Sequence, residues 1–122
     1  MKRKRFKIIT LTLTLLLLCS TAAYAYTLSG SSSIGTSLST VYGYSITRTD
    51  AVCDSVYAEG WLYRNGTLAD NNWQTASGSS YAQAYCSTIN LPLLQNWELT
   101  GYHKSTIAGV EKTSSSNDSR TY

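Results

Sequence analysis

This 122-residue chain contains one histidine, one proline, one phenylalanine and one methionine, and the last two fall within its first six residues. A single histidine leaves little scope for a histidine-based metal centre or for acid–base chemistry near neutral pH. None of the three cysteines stands in a Cys-x-x-Cys pair, so the spacing of a dithiol redox site is absent. Nothing resembles a nucleophile elbow. Asp70-Asn71-Asn72 lacks the alternating acids and central glycine of a calcium loop. Beyond residue 25 there is no sustained 3.6-residue period and no internal repeat, which excludes helical bundles and solenoids.

Charge is scarce, at 14% of residues, and unevenly placed. Lys2, Arg3, Lys4, Arg5 and Lys7 have no acid near them, whereas residues 26–122 hold five cations against seven acids. The formal net charge of +3 therefore comes from the first 25 residues, and the remainder carries −2. That balance argues against a nucleic-acid partner. The basic start leads into an apolar run of eleven residues, Ile8 to Leu18, and then Ala23-Tyr24-Ala25. Basic region, short apolar core and small residues at the cleavage positions predict a secretory signal over residues 1–25. The run is too short for a typical membrane anchor. Leu18 is bulky where a lipoprotein site at Cys19 would want a small residue. The expected location is extracellular, with the membrane met only through the signal segment during export.

Cleavage would leave Cys53 and Cys86, an even count in an exported chain, which predicts one disulfide. It would close a loop of about 34 residues, worth about 3.5–4 kcal/mol in the chain-entropy account.

What is abundant is alternation. From Tyr26 to Thr47, Leu28, Ile34, Leu38, Tyr42, Tyr44 and Ile46 share the even positions. The odd positions are Ser, Thr or Gly apart from Val41. Period two with one polar face predicts half-buried strands, broken near Gly35 or Gly43. Thr47 to Ala51 reads as a turn.

Val52 to Trp73 reads as a hairpin about Asn65-Gly66, the dipeptide suited to a type I′ turn. A two-residue loop sets Arg64 against Thr67, Tyr63 against Leu68 and Ala58 against Trp73. That register favours a core face of Val52, Val56, Leu62 and Trp73. Cys53 then falls on the opposite face, with Tyr57, Trp61 and Tyr63; either a bulge near Gly60 turns the strand or both faces are partly covered. Ser79 to Cys86 places Ala82, Ala84 and Cys86 on one side. Leu91-Pro92-Leu93-Leu94 predicts a crossing loop or an edge, with its leucines plugging one end of the core. Trp97, Leu99, Gly101 and His103 share a face of the next strand. A turn at Ala108-Gly109 and a short return strand follow.

The expected fold is all-β: a small antiparallel β-sandwich or barrel over residues 26–113, with a polar, frayed tail over 114–122. Residues 26–122 contain nine tyrosines and three tryptophans. Tyr57, Trp61, Tyr63 and Tyr102, with His103 nearby in sequence, are the candidate binding residues, since amphipathic rings on a sheet can stack on sugars or on a protein partner. Tyr81 and Tyr85 also fall on faces opposite the expected core. The only enzymatic pairing on offer is Glu59 with Glu98, as in a glycoside hydrolase. No cofactor, metal site or catalytic constellation is expected.

The signal, the central cysteine strand with its Arg64-Asn65-Gly66 turn, and the closing run Trp97-Glu98-Leu99-Thr100-Gly101-Tyr102-His103 resemble small, uncharacterised β-rich proteins exported by Gram-positive bacteria. That resemblance implies export and a β fold and carries no activity. The expected role is an extracellular or cell-surface binding module, its ligand a cell-wall glycan or a surface protein. The alternatives are a bacteriocin-like or toxin-like protein and a small glycan hydrolase.

Overall fold

A computed structural model describes residues 25–122, so the signal expected over 1–25 lies outside the described residues except for Ala25. Five strands follow one another: β1 (Leu28–Thr36), β2 (Thr40–Arg64), β3 (Thr67–Ile89), β4 (Asn96–Ile107) and β5 (Val110–Thr121). All pair antiparallel in one sheet. The all-β expectation holds, but in place of two separate sheets a single sheet curls over on itself.

The long hairpin of β2 and β3 makes the curl possible. One edge of β2 pairs with β3 along most of its length. Its other edge pairs first with β1, over Val41–Thr49 of the sheet's first half, and then with β4, over Ser55–Arg64 of its second. The Asn65-Gly66 turn has positive φ at both positions (49° and 80°), as a type I′ turn requires. The segment expected as a turn, 47–51, stays in the strand. It lies at the register shift between Arg48 and Cys53, where β2 bends; Gly78 on β3 has a φ of 57° near the same level. The bend brings the two halves of β2 face to face. Ser45 Oγ donates to the Glu59 carbonyl at 2.8 Å, and Thr47 Oγ1 donates to the Tyr57 carbonyl at 2.7 Å.

This close approach inverts the core expected for the β2 part of the first segment, while Ile34 on β1 is buried as expected. Val41, Gly43, Ser45 and Thr47 point inward and are buried, while Tyr42, Tyr44 and Ile46 lie half-buried on the outside. Small residues are needed where strand meets strand: a Cβ on Gly101 would stand 2.6–2.7 Å from the hydroxyls of Ser116, Ser32 and Ser45. Two apolar clusters flank this small, hydroxylic layer. One contains Tyr26, Cys53, Val56, Ala58, Ala82 and Ala84; the other contains Ile34, Val41, Leu62, Cys86, Trp97 and Leu99.

Several expectations are corrected. Cys53 and Cys86 are free thiols, one in each cluster. Cys53 pairs with Ser79, and Cys86 lies seven residues farther along β3. That is about 23 Å at the usual strand rise, against about 7 Å for bridged Cα atoms. The hairpin register holds for Arg64–Thr67 and Tyr63–Leu68. It then slips by one residue at Ala69, so Trp73 faces Glu59 and Ala58 faces Gln74. Trp73 and Val52 are 60% and 70% exposed and do not belong to the core. The inward-facing positions of β2 change from odd to even across the bend, so Cys53 and Val56 are both buried. Residues 114–121, expected as a frayed tail, form the greater part of β5 and pair with β4 from Asn96 to His103.

The outer edges of β1 and β5 meet. Ser32 Oγ and Ser116 Oγ are 2.6 Å apart, and the Ile34 amide donates to Asp118 Oδ2 at 2.9 Å. The Tyr122 hydroxyl donates to the Ile34 carbonyl at 3.3 Å. Side chains, not a backbone ladder, join β1 to β5.

Candidate functional site

Because residues opposite one another in an antiparallel pair point to the same face, the register of β3, β2 and β4 defines the outer surface of the second half. One row across it is Trp73, Glu59 and Tyr102; the next is Asn71, Trp61 and Thr100; on the other side is Thr75, Tyr57 and Lys104. Tyr57, Trp61, Tyr63 and Tyr102 are therefore brought together as expected. His103 is not with them. It lies on the inner face, fully buried.

Glu59 sits at the centre of the aromatic surface. The Tyr57 hydroxyl donates to its Oε2 at 2.7 Å, and Asn71 Nδ2 donates to its Oε1 at 3.2 Å. Burial, and then the hydrogen bond and charge of Glu59, push the Tyr57 phenol up to about 12, so it stays a donor. Tyr57 meets Tyr102 edge to face at 6.1 Å, and Lys104 Nζ lies 5.5 Å from the centre of the Tyr57 ring. These contacts hold two rings in place. Trp73, directly across from Glu59, is left largely open to solvent. The result is a carboxylate and an amide set among aromatic rings, able to accept and donate hydrogen bonds beside flat apolar surfaces.

Trp73 and Asn71 were missed in the sequence because an unbroken register counts Trp73 into the core. The polar run Asp70-Asn71-Asn72 was the available sign that this stretch of β3 faces water.

Glu98 stands across from Tyr63, four residues along β2 from Glu59, or about 13 Å by strand rise. Its carboxylate takes a hydrogen bond from Asn117 at 2.8 Å on the side of β5, while Glu59 is held by Tyr57 and Asn71. The two acids thus belong to separate networks. A shallow cleft of about 300 Å³ beside Glu98 and Arg120, bordered by Gly66 and Asn96, includes none of the four candidate rings.

Inside, His103 belongs to an ordered chain of hydrogen bonds. Its Nδ1 is 2.8 Å from Thr47 Oγ1, and its Nε2 is 2.7 Å from Ser116 Oγ. Thr47 spends its one hydroxyl proton on the Tyr57 carbonyl, so Nδ1 must be the donor and Nε2 the acceptor. Ser116 then donates to Nε2 and accepts from Ser32. Burial pulls the imidazole below its ordinary value of 6.5. Cys86 is also out of reach of solvent. Burial first, and then the charge of Asp70, push its thiol up to about 11, and it donates to the Gly60 carbonyl at 3.2 Å.

The outer surface of the first half carries a second aromatic group. Tyr44 and Tyr85 rings lie 5.2 Å apart, with Tyr42 at 5.8 and 6.5 Å from them. Arg48 lies over Tyr81 at 5.2 Å. Tyr42 also covers Gly35, where a Cβ would come within 2.5 Å of the ring. These rings are largely engaged with one another and with the strand beneath. Among the described residues, no three or more His, Cys, Asp or Glu side chains are grouped to hold a metal ion. No family model matches the chain, and no curated protein matches it in sequence.

Proposed function

We propose that the protein is an exported binding module, and that the outer surface around Glu59 is its ligand-contacting face. The observation that carries this reading is the placement of Trp73. A tryptophan 60% exposed stands across from a carboxylate already oriented by Tyr57 and Asn71, with Trp61 two residues from that carboxylate on the same face. A glycan fits this chemistry. Its C–H faces stack on indole and phenol rings, and its hydroxyls donate to Glu59 and accept from Asn71. Export rests on the composition of residues 1–25.

The test is titration of residues 26–122 with soluble cell-wall glycan fragments, followed by tryptophan fluorescence. Saturable binding is expected, with Trp61→Ala and Trp73→Ala each weakening it at least about tenfold, the effect of losing about 1.4 kcal/mol of contact. No binding to any fragment, or unchanged binding in both variants, defeats the reading.

A further inference from the structure

The charged side chains are segregated. From Tyr26 to Thr47, and again from Asn71 to Trp97, there is none. Those two stretches supply β1, the first half of β2 and the second half of β3, together with the loops at their common end. The loops lie side by side: the Asn90 amide donates to the Ser39 carbonyl at 3.0 Å, and Asn90 Nδ2 to Thr36 Oγ1 at 3.2 Å. They display Leu38 at 103% exposure, Leu94 at 82%, Leu93 at 70%, Ile89 at 69% and Leu91 at 40%. The leucines expected to plug the core thus point away from it. Exposed aliphatic residues normally occur singly, and five on two adjoining loops and the end of β3 beside them mark an interaction site.

We infer that this tip docks into the interface of an electrically neutral lipid bilayer. The absence of charge matches the requirement of the hydrocarbon boundary, where a charged side chain is expensive. Several backbone groups at the tip are also paired internally. Ser37 N bonds to Thr40 O at 2.8 Å, Leu93 N to Leu91 O at 2.8 Å, and Gln95 exchanges both backbone bonds with Tyr122 at 2.6 and 3.0 Å. Such pairing lowers the penalty for leaving water.

Behind the leucines comes a band of phenols. Tyr42 and Tyr44 stand two and four residues in from Thr40, where β2 begins, and Tyr85 pairs with Tyr44. At the usual rise these are depths of about 7 and 13 Å, so leucines at the acyl boundary would put tyrosines among the headgroups. A neutral surface is favoured over an anionic one because the cations at this end are already engaged. Arg64 lies 6.0 Å from the centre of the Trp97 ring, and Arg120 pairs with Asp118 at 3.3 Å. A protein partner fits less well, since two loops without charge offer little to fix its register.

Residues 26–122 contain every described strand, so omitting 1–25 removes none of them. It also removes the Ile8–Leu18 run, which would bind vesicles by itself. This chain is mixed with phosphatidylcholine vesicles and floated through a density gradient, alongside a Leu38→Ser, Leu93→Ser, Leu94→Ser variant. Circular dichroism and thermal unfolding establish that the variant keeps its fold, as exposed positions should allow. The wild-type chain is expected to float and the variant to lose at least about tenfold in partitioning. Wild-type protein that stays with the soluble fraction overturns the inference, as does equal flotation of the variant. So does flotation only with anionic vesicles. Dimers that the triple substitution dissociates, without vesicle binding by either chain, assign the tip to a second copy and also overturn it.

Discussion

Gly30 on β1 lies against the imidazole of His103 on β4, so closely that a Cβ at position 30 would overlap the ring carbons and Nε2. The glycine is there because the histidine is inside, and the histidine is inside because hydroxyls from β2 and β5 occupy both its nitrogens.

Gly30→Ala is therefore expected to destabilise the domain by about 1–3 kcal/mol, the usual penalty for overpacking an interior that cannot shift. Urea unfolding measures it. Ser33→Ala, on an exposed position of the same strand, should stay within about 0.5 kcal/mol of wild type. Equal stability of the two variants would show that the ring moves aside easily.

His103 also gives stability a definite pH dependence. The unfolded chain takes up its imidazole proton near pH 6.5, and the folded chain only at lower pH. Between those values the unfolded state binds more protons, so acid favours unfolding. Stability from this group is full above about pH 6.5 and falls through the window below it, by at most about 1.4 kcal/mol per pH unit. Unfolding at about pH 7.5 and about pH 5.5 should show the loss, and His103→Gln should remove that part of the slope. A wild-type chain equally stable at both pH values contradicts the buried, neutral ring.

Two thiols are expected in the unreduced protein. Alkylation in denaturant followed by mass spectrometry should label both Cys53 and Cys86. In the native state Cys86 should label slowly even in mild alkali, because its thiol is pushed up to about 11 and little thiolate is present. A mass two hydrogens lighter, with no labelling, would show a bridge and a different arrangement of β3.

Much of the fold is legible in the residues. Asn65-Gly66 and Ala108-Gly109 are turns, and Trp97, Leu99, Gly101 and His103 do share an inward face. The first segment misleads because hydrophobicity and size oppose each other there. Tyr42 and Tyr44 are the more apolar choice for a core, but two halves of one strand pass too close for a phenol, and Ser45 and Thr47 can bond the facing carbonyls. The aromatic surface was half legible. Alternation collected Tyr57, Trp61, Tyr63 and Tyr102, but one extra residue at Ala69 moved Trp73 from the expected core to the side of Glu59. A single-residue bulge leaves no clear mark on composition or periodicity.

The seam between β1 and β5 has a consequence for solubility. A strand at the margin of a sheet normally presents a row of backbone donors and acceptors that another chain can recruit. Here Asp118 and Tyr122 occupy the outward amide and carbonyl of Ile34, and Ser116 and Ser32 bond to each other. Each margin shields the other without the two merging into a continuous ladder. At these two margins the barrier to intermolecular strand pairing therefore resides in a few serine, aspartate and tyrosine side chains, most of them on or just beyond a strand that, read by composition alone, passes for a frayed tail.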